Sequence, residues 1–146
     1  MAKIENLLHV AEALEELGYA VNSNEDAVHV AIGGTEKPFV AVLTISERGE
    51  LVVTSQIATL GDLNEDDIPT VQFGLLDANT RVRPFAFAII TSADNPDIAD
   101  AADFPIVVTD SLPIGDLCKA ELAAEMDGLL FALNSSGEAL RSGLPK

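Results

Sequence analysis

The chain has 146 residues, 48% of them hydrophobic, and carries a net charge of −16 from 24 acidic against 8 basic side chains. That is the size of one domain able to bury a core unaided, with a field that repels phosphates, so nucleic acid and anionic membrane surfaces are excluded as partners. The longest apolar run, residues 85–90, falls far short of the ~20 residues that span a bilayer.

Residues 1–6 lack the cationic and apolar stretches of a secretory signal, and the single Cys118 allows no internal disulfide. A soluble cytoplasmic protein is expected. Ile4, Leu7, Leu8, Ala11, Leu14 and Leu17 recur at helical spacing and predict a first helix of about four turns, stopped by Gly18. Asn22-Ser23-Asn24-Glu25-Asp26 reads as a polar turn, and the alternation Val28, Val30, Ile32 as a half-buried strand. Gly33-Gly34-Thr35-Glu36-Lys37-Pro38 breaks it. Residues 39–45 are apolar on both faces, 47–50 form a hairpin loop, and 51–57 pair back across it.

Asp62, Glu65, Asp66 and Asp67 gather before a second helix, where negative charge complements the helix dipole and Pro69 is tolerated in the first turn. Ile68, Val71, Leu75 and Ala78 mark its inner face. Arg81, Val82, Arg83 and Pro84 lead into a fourth strand over 85–91, an Ala/Asp-rich loop covers 92–103, and a fifth strand covers 104–109. Residues 111–116 read as a turn in which Asp116 is placed to cap a last helix. That helix runs from Leu117 to about Leu133, with Cys118, Leu122, Met126, Leu129, Leu130 and Leu133 inward, and Asn134-Ser135-Ser136-Gly137 stops it. The predicted fold is α+β, order α-β-β-β-α-β-β-α. It is a single domain over 1–146, loose from about 135, with a mostly antiparallel five-stranded sheet and helices packed on one face.

Chemistry is sparse along this chain. His9 sits among polar helix positions and His29 on a strand, and no Gly-x-Ser-x-Gly turn presents a serine. Cys118 shares a helical stripe with Leu122 and Met126, which predicts a buried, unreactive thiol. Zinc pairs of Cys and His do not occur. Asp94, Asp97, Asp100 and Asp103 are spaced by threes, but the ligand positions of a calcium loop are not met together, and a solvated acidic loop is expected. The glycines at 33 and 34 join two strands and so cannot form a phosphate loop. No catalytic, cofactor-binding or metal-binding residue is assigned, and no cofactor is expected.

The element order resembles the fold of type III secretion chaperones and of small bacterial proteins that share it. The second half, over roughly residues 63–140, is similar to a small uncharacterised bacterial family. The matching residues are Leu75-Leu76-Asp77-Ala78-Asn79, Pro84-Phe85-Ala86-Phe87, Ser111-Leu112 and Ala120-Glu121-Leu122-Ala123-Ala124-Glu125-Met126. The resemblance implies an acidic, cytoplasmic, dimeric, non-enzymatic protein. It also implies a possible partner among phage-shock-type membrane-stress proteins, beside whose genes such genes are sometimes found.

The expected function is a non-enzymatic protein-interaction module, a chaperone-like or regulatory adaptor. A small-molecule or metal-binding sensor domain is the alternative. The expected partners are a second copy of the chain and another protein, possibly basic. A homodimer is expected because strands 39–45 and 85–91 are apolar on both faces, while three helices cover little more than one face of such a sheet.

Overall fold

The computed structural model describes residues 3–33, 38–93, 95–115 and 117–141. Helix α1 (Leu7–Glu16) is followed by strands β1 (Ala20–Ser23), β2 (Val28–Ile32), β3 (Phe39–Ile45) and β4 (Glu50–Thr59). Helix α2 (Ile68–Ala78), strands β5 (Ala86–Ile89) and β6 (Pro105–Pro113) and helix α3 (Lys119–Arg141) complete the order, with short 3-10 turns at Leu60–Asp62, Glu65–Asp67 and Ala101–Asp103. The strands hydrogen-bond in the order β1-β2-β3-β4-β6-β5, and β1 to β4 form an antiparallel meander. The sheet therefore has six strands, not the expected five, and the order is α-β-β-β-β-α-β-β-α. None of the described helices is long and apolar enough to cross a membrane.

The extra strand is β1, which the sequence hides because its residues are nearly all exposed. It is an edge strand paired to β2 from Ala20↔Ala31 to Ser23↔Val28, and an edge strand needs no apolar alternation. Its turn is made by the Asn24 side chain, which accepts from the N–H groups of Asp26 (2.8 Å) and Ala27 (2.9 Å).

The chain groups into two compact units, Met1–Ser55 with Thr109–Leu130, and Gln56–Val108 with Phe131–Lys146. In the first, Val28, Val30, Ile32, Ala41, Leu43, Leu51, Val53 and Ser55 form one buried layer, while His29, Ala31, Val42, Thr44, Val52 and Thr54 on the other face stay half-exposed. The registers Ala41↔Ser55, Leu43↔Val53 and Val28↔Leu43 align the layer. Ser55 is tolerated there because its hydroxyl donates to the Val40 carbonyl at 2.9 Å. Val10 and Leu14 of α1 and Leu122, Met126 and Leu129 of α3 are wholly buried.

Helix α1 is shorter than expected. Asn6 caps it by accepting from the His9 N–H (2.9 Å), and Ile4 lies outside, bridged to Leu117. Leu8 faces outward, 64% exposed, so it does not belong to the buried stripe Val10, Ala11, Leu14. The helix ends in a Schellman turn: Gly18, at φ +97°, donates to the Glu15 carbonyl and Tyr19 to that of Leu14.

In the second unit, Asp67 precedes α2 and Pro69 occupies its first turn as expected. Val71, Leu75 and Ala78 are buried, as are Phe85, Phe87, Leu133 and Leu140. Strand β5 is shorter than residues 85–91. Strand β6 is longer than 104–109, because Ser111–Pro113 continue as strand where a turn was expected.

Helix α3 also departs from expectation. Asn134-Ser135-Ser136-Gly137 does not stop it, and the segment from 135 is helix to Arg141 instead of a loose tail. The hydroxyls of Ser135 and Ser136 donate back to the carbonyls of Phe131 (2.9 Å) and Leu133 (2.6 Å), so both serines are satisfied inside the helix. Asp116 and the Gly34–Lys37 loop lie outside the described residues.

Gly61 is a fixed point of the second unit. A Cβ there would stand 2.8 Å from the Ala102 carbonyl oxygen and 3.1 Å from its Cβ. Gly61→Ala is expected to destabilise by about 1–3 kcal/mol through overpacking, read as a lower urea midpoint with unchanged slope.

Candidate functional site

The residues singled out for chemistry do not converge. His9 lies at the start of α1, where its Nδ1 accepts from the Glu5 N–H at 3.1 Å. His29 is half-buried on β2, opposite Val42. Cys118 is half-buried, not core: it precedes the first turn of α3, and its thiol donates to Glu121 Oε1 at 3.2 Å while Leu122 and Met126 are wholly buried. The helical stripe begins one residue too late to draw Cys118 inward. Asp100 is spent on an N-cap, accepting from the Ala102 N–H at 3.1 Å, and Asp94 lies outside the described residues. Among the described residues no group of three or more His, Cys, Asp or Glu is placed to hold a metal ion.

A polar cleft of about 300 Å³ is lined by Lys3, Ile4, His9, Glu12, Ala13, Glu16 and Lys119. Within it Lys119 Nζ stands 3.0 Å from Glu16 Oε2. The surface with an unmet physical demand is apolar and lies in the second unit. On α2, Phe73 and Leu76 are 74% and 68% exposed, more than Val40 (52%) on the open face of β3. Beside them a cleft of about 250 Å³ is lined by Gln72, Leu75 and Leu76 of α2 and Phe87, Ala88 and Ile89 of β5. That is below the roughly 300–1,000 Å³ of small-molecule sites, and is suited to an inserted side chain. The stretch from Ile68 to Leu76 carries no charge in a chain whose charged residues make up 22%. Asp77 and Arg81 pair with one another at 3.1 Å at the end of the helix.

Strand β5 ends the sheet order, and such an edge offers bare backbone groups. Asn79, the C-cap of α2, covers it with its side chain. Its Oδ1 accepts from the Phe87 N–H at 2.6 Å and its Nδ2 donates to the Phe87 carbonyl at 3.5 Å. The amide occupies the Phe87 backbone groups that a neighbouring strand would otherwise pair with. Sequence reasoning met Asn79 only within a family motif; nothing in periodicity marks it as an edge cap.

Two groups of the first unit have displaced titrations. The Tyr19 hydroxyl is pushed up by burial and by the charge of Asp127. The Glu125 carboxyl is pushed up to about 8, chiefly by burial and further by a hydrogen bond to Asp110 and its charge.

No protein-family model and no curated protein matches the chain. Solved structures do. YbjN from E. coli superposes with a TM-score of 0.64 at 14% identity, over 99% of this chain and 100% of that one. ExsC, in the ExsC–ExsE complex, gives 0.56 at 15% identity over 89% of each. The type III secretion chaperone SycH of Yersinia pestis, in complex with a fragment of YscM2, is looser at 0.47 and 19% identity, over 85% of this chain and 92% of that one. The chain thus shares an α+β fold with YbjN and ExsC.

Removing the edge cap isolates its contribution. Asn79→Ala leaves the Phe87 N–H without its partner and is expected to cost about 1–3 kcal/mol. Asn79→Asp keeps the 2.6 Å acceptor and is expected to cost less, both read from urea unfolding.

Proposed function

We propose that this chain is a non-enzymatic protein-interaction module, a chaperone-like or regulatory adaptor of the cytoplasm, that pairs with a second copy of itself through the α2–β5 face. The observation that carries the reading is the exposure of Phe73 and Leu76 beside an apolar cleft on an uncharged stretch of helix. Large aromatic and aliphatic groups left in water are unfavourable, and burying one against a copy of the same face removes the cost for both protomers. The absence of charge between Ile68 and Leu76 favours self-association, since two chains of −16 each repel unless they meet where carboxylates are missing. A further, basic protein partner suits the acidic surface that remains. The shared fold supports an interaction role by analogy only.

Sedimentation at micromolar protein in low and high salt tests the reading. A dimer is expected, unchanged or tightened by salt, as screening shortens the Debye length from ~10 Å near 0.1 M to ~3 Å at 1 M. Phe73→Glu should leave a folded protein, because the side chain is mostly solvated. It should weaken the dimer by more than about tenfold, or about 1.4 kcal/mol. A wild-type monomer at both salts, or a dimer indifferent to Phe73→Glu, overturns the assignment of this face.

A further inference from the structure

Glu125 is a carboxylic acid in a layer of hydrocarbon. It lies on α3 between Leu122, Met126 and Leu129, each wholly buried, and is itself only 7% exposed. Its Oε2 has no hydrogen-bond partner among the described residues. The group hydrogen-bonded to it is another carboxylic acid, Asp110 of β6. Two carboxylates cannot share a hydrogen bond without a proton between them, so at least one is protonated while the helix is docked.

Among the described residues neither acid forms an ion pair with a basic side chain. The inward face of β2, β3 and β4 is hydrocarbon apart from Ser55, and His29 and Glu50 alternate to the opposite face. From α3 itself come Glu121, turned to the Cys118 thiol, and Asp127, whose charge bears on the Tyr19 hydroxyl between α1 and β1. Lys119, the nearest basic residue along α3, is held by Glu16 of α1 at 3.0 Å. Burial, the Asp110 hydrogen bond and the Asp110 charge all favour the protonated acid.

We propose that Asp110 and Glu125 form a proton-held latch, in which the shared proton docks the first half of α3 on β6 and its loss releases that segment. The inference is independent of the α2–β5 face. In the docked state Glu125 holds its proton up to about pH 8, whereas undocked it releases it near its ordinary 4.5. Between those limits the open form binds fewer protons than the closed form. Docking therefore weakens as pH rises from about 4.5 to about 8 and levels off above, by up to about tenfold in the opening constant per pH unit.

Hydrogen exchange of the intact protein between about pH 5 and about pH 8.5, corrected for intrinsic amide rates, reads this directly. The wild type should lose protection over Lys119–Leu130 across that range. Glu125→Gln, which fills the same space without titrating, should show a flat profile and exceed the wild type at the alkaline end. Asp110→Asn removes the second charge but not the burial, and should give a shallower slope. A flat wild-type profile overturns the latch, as does a slope retained in Glu125→Gln. If Glu125→Gln does not fold, Asp110→Asn decides: a shallower slope supports the latch and a wild-type slope overturns it.

Discussion

The pairing register of β2, β3 and β4 is the constraint on which the unit formed by Met1–Ser55 and Thr109–Leu130 depends. Side chains alternate strictly along a strand, so a slip of one residue would turn Val28, Val30, Leu43 and Val53 outward and bring His29, Thr44 and Thr54 in. The hairpin between β3 and β4 holds that register. Ser46 and Glu50 close it through backbone and hydroxyl bonds, with Gly49 in the left-handed conformation that the turn needs. Once the face is set, the buried positions of α1 and α3 have a surface to meet, and the outer face is left to threonine, valine and histidine. The Thr54 and Thr109 hydroxyls meet on that outer face at 2.9 Å, tying β6 to β4 there.

That same register makes Glu125 conspicuous. A chain with 24 acidic residues has ample solvent-exposed positions for carboxyls, yet one of them stands with Leu122 and Met126 in the buried stripe of α3. Replacing such a group by hydrocarbon is often neutral or stabilising, so its presence is better explained by a condition placed on docking than by strength. The α2 helix shows the reverse arrangement. Its exposed side is nearly free of charge where the composition would supply it, and Phe73 and Leu76 sit in water. A buried acid and an exposed phenyl group are both departures from what stability alone favours, and such departures mark where function constrains a fold.

The likeness to YbjN and ExsC, at 14% and 15% identity, speaks to the fold. What the fold contributes to function is geometry. It leaves α2 beside an edge strand whose Phe87 backbone groups are engaged by Asn79, with an apolar cleft between helix and strand. On the proposed reading, such a face would meet a partner through shape and apolar fit.

Local signals were legible in the sequence. The periodicity of Ala11 and Leu14, the alternation of β2, the hairpin at Glu47–Glu50, the carboxylates before α2 and the stripe Leu122, Met126, Leu129 each lie within one element, where spacing alone reports which side faces inward. Composition likewise set an expectation about partners, because net charge needs no structure. What tertiary structure decided are features whose cause lies elsewhere in the chain. Strand β1 exists because β2 offers an edge, not because Ala20–Ser23 is apolar. The run Asn134–Gly137 stays helical because Ser135 and Ser136 find carbonyls in α3, against a composition that reads as a stop. Cys118 is half-exposed because the helix begins after it. The exposure of Phe73, the Asn79 cap and the Asp110–Glu125 contact each join residues that no periodicity relates, since a helix face has an inside only once something covers it.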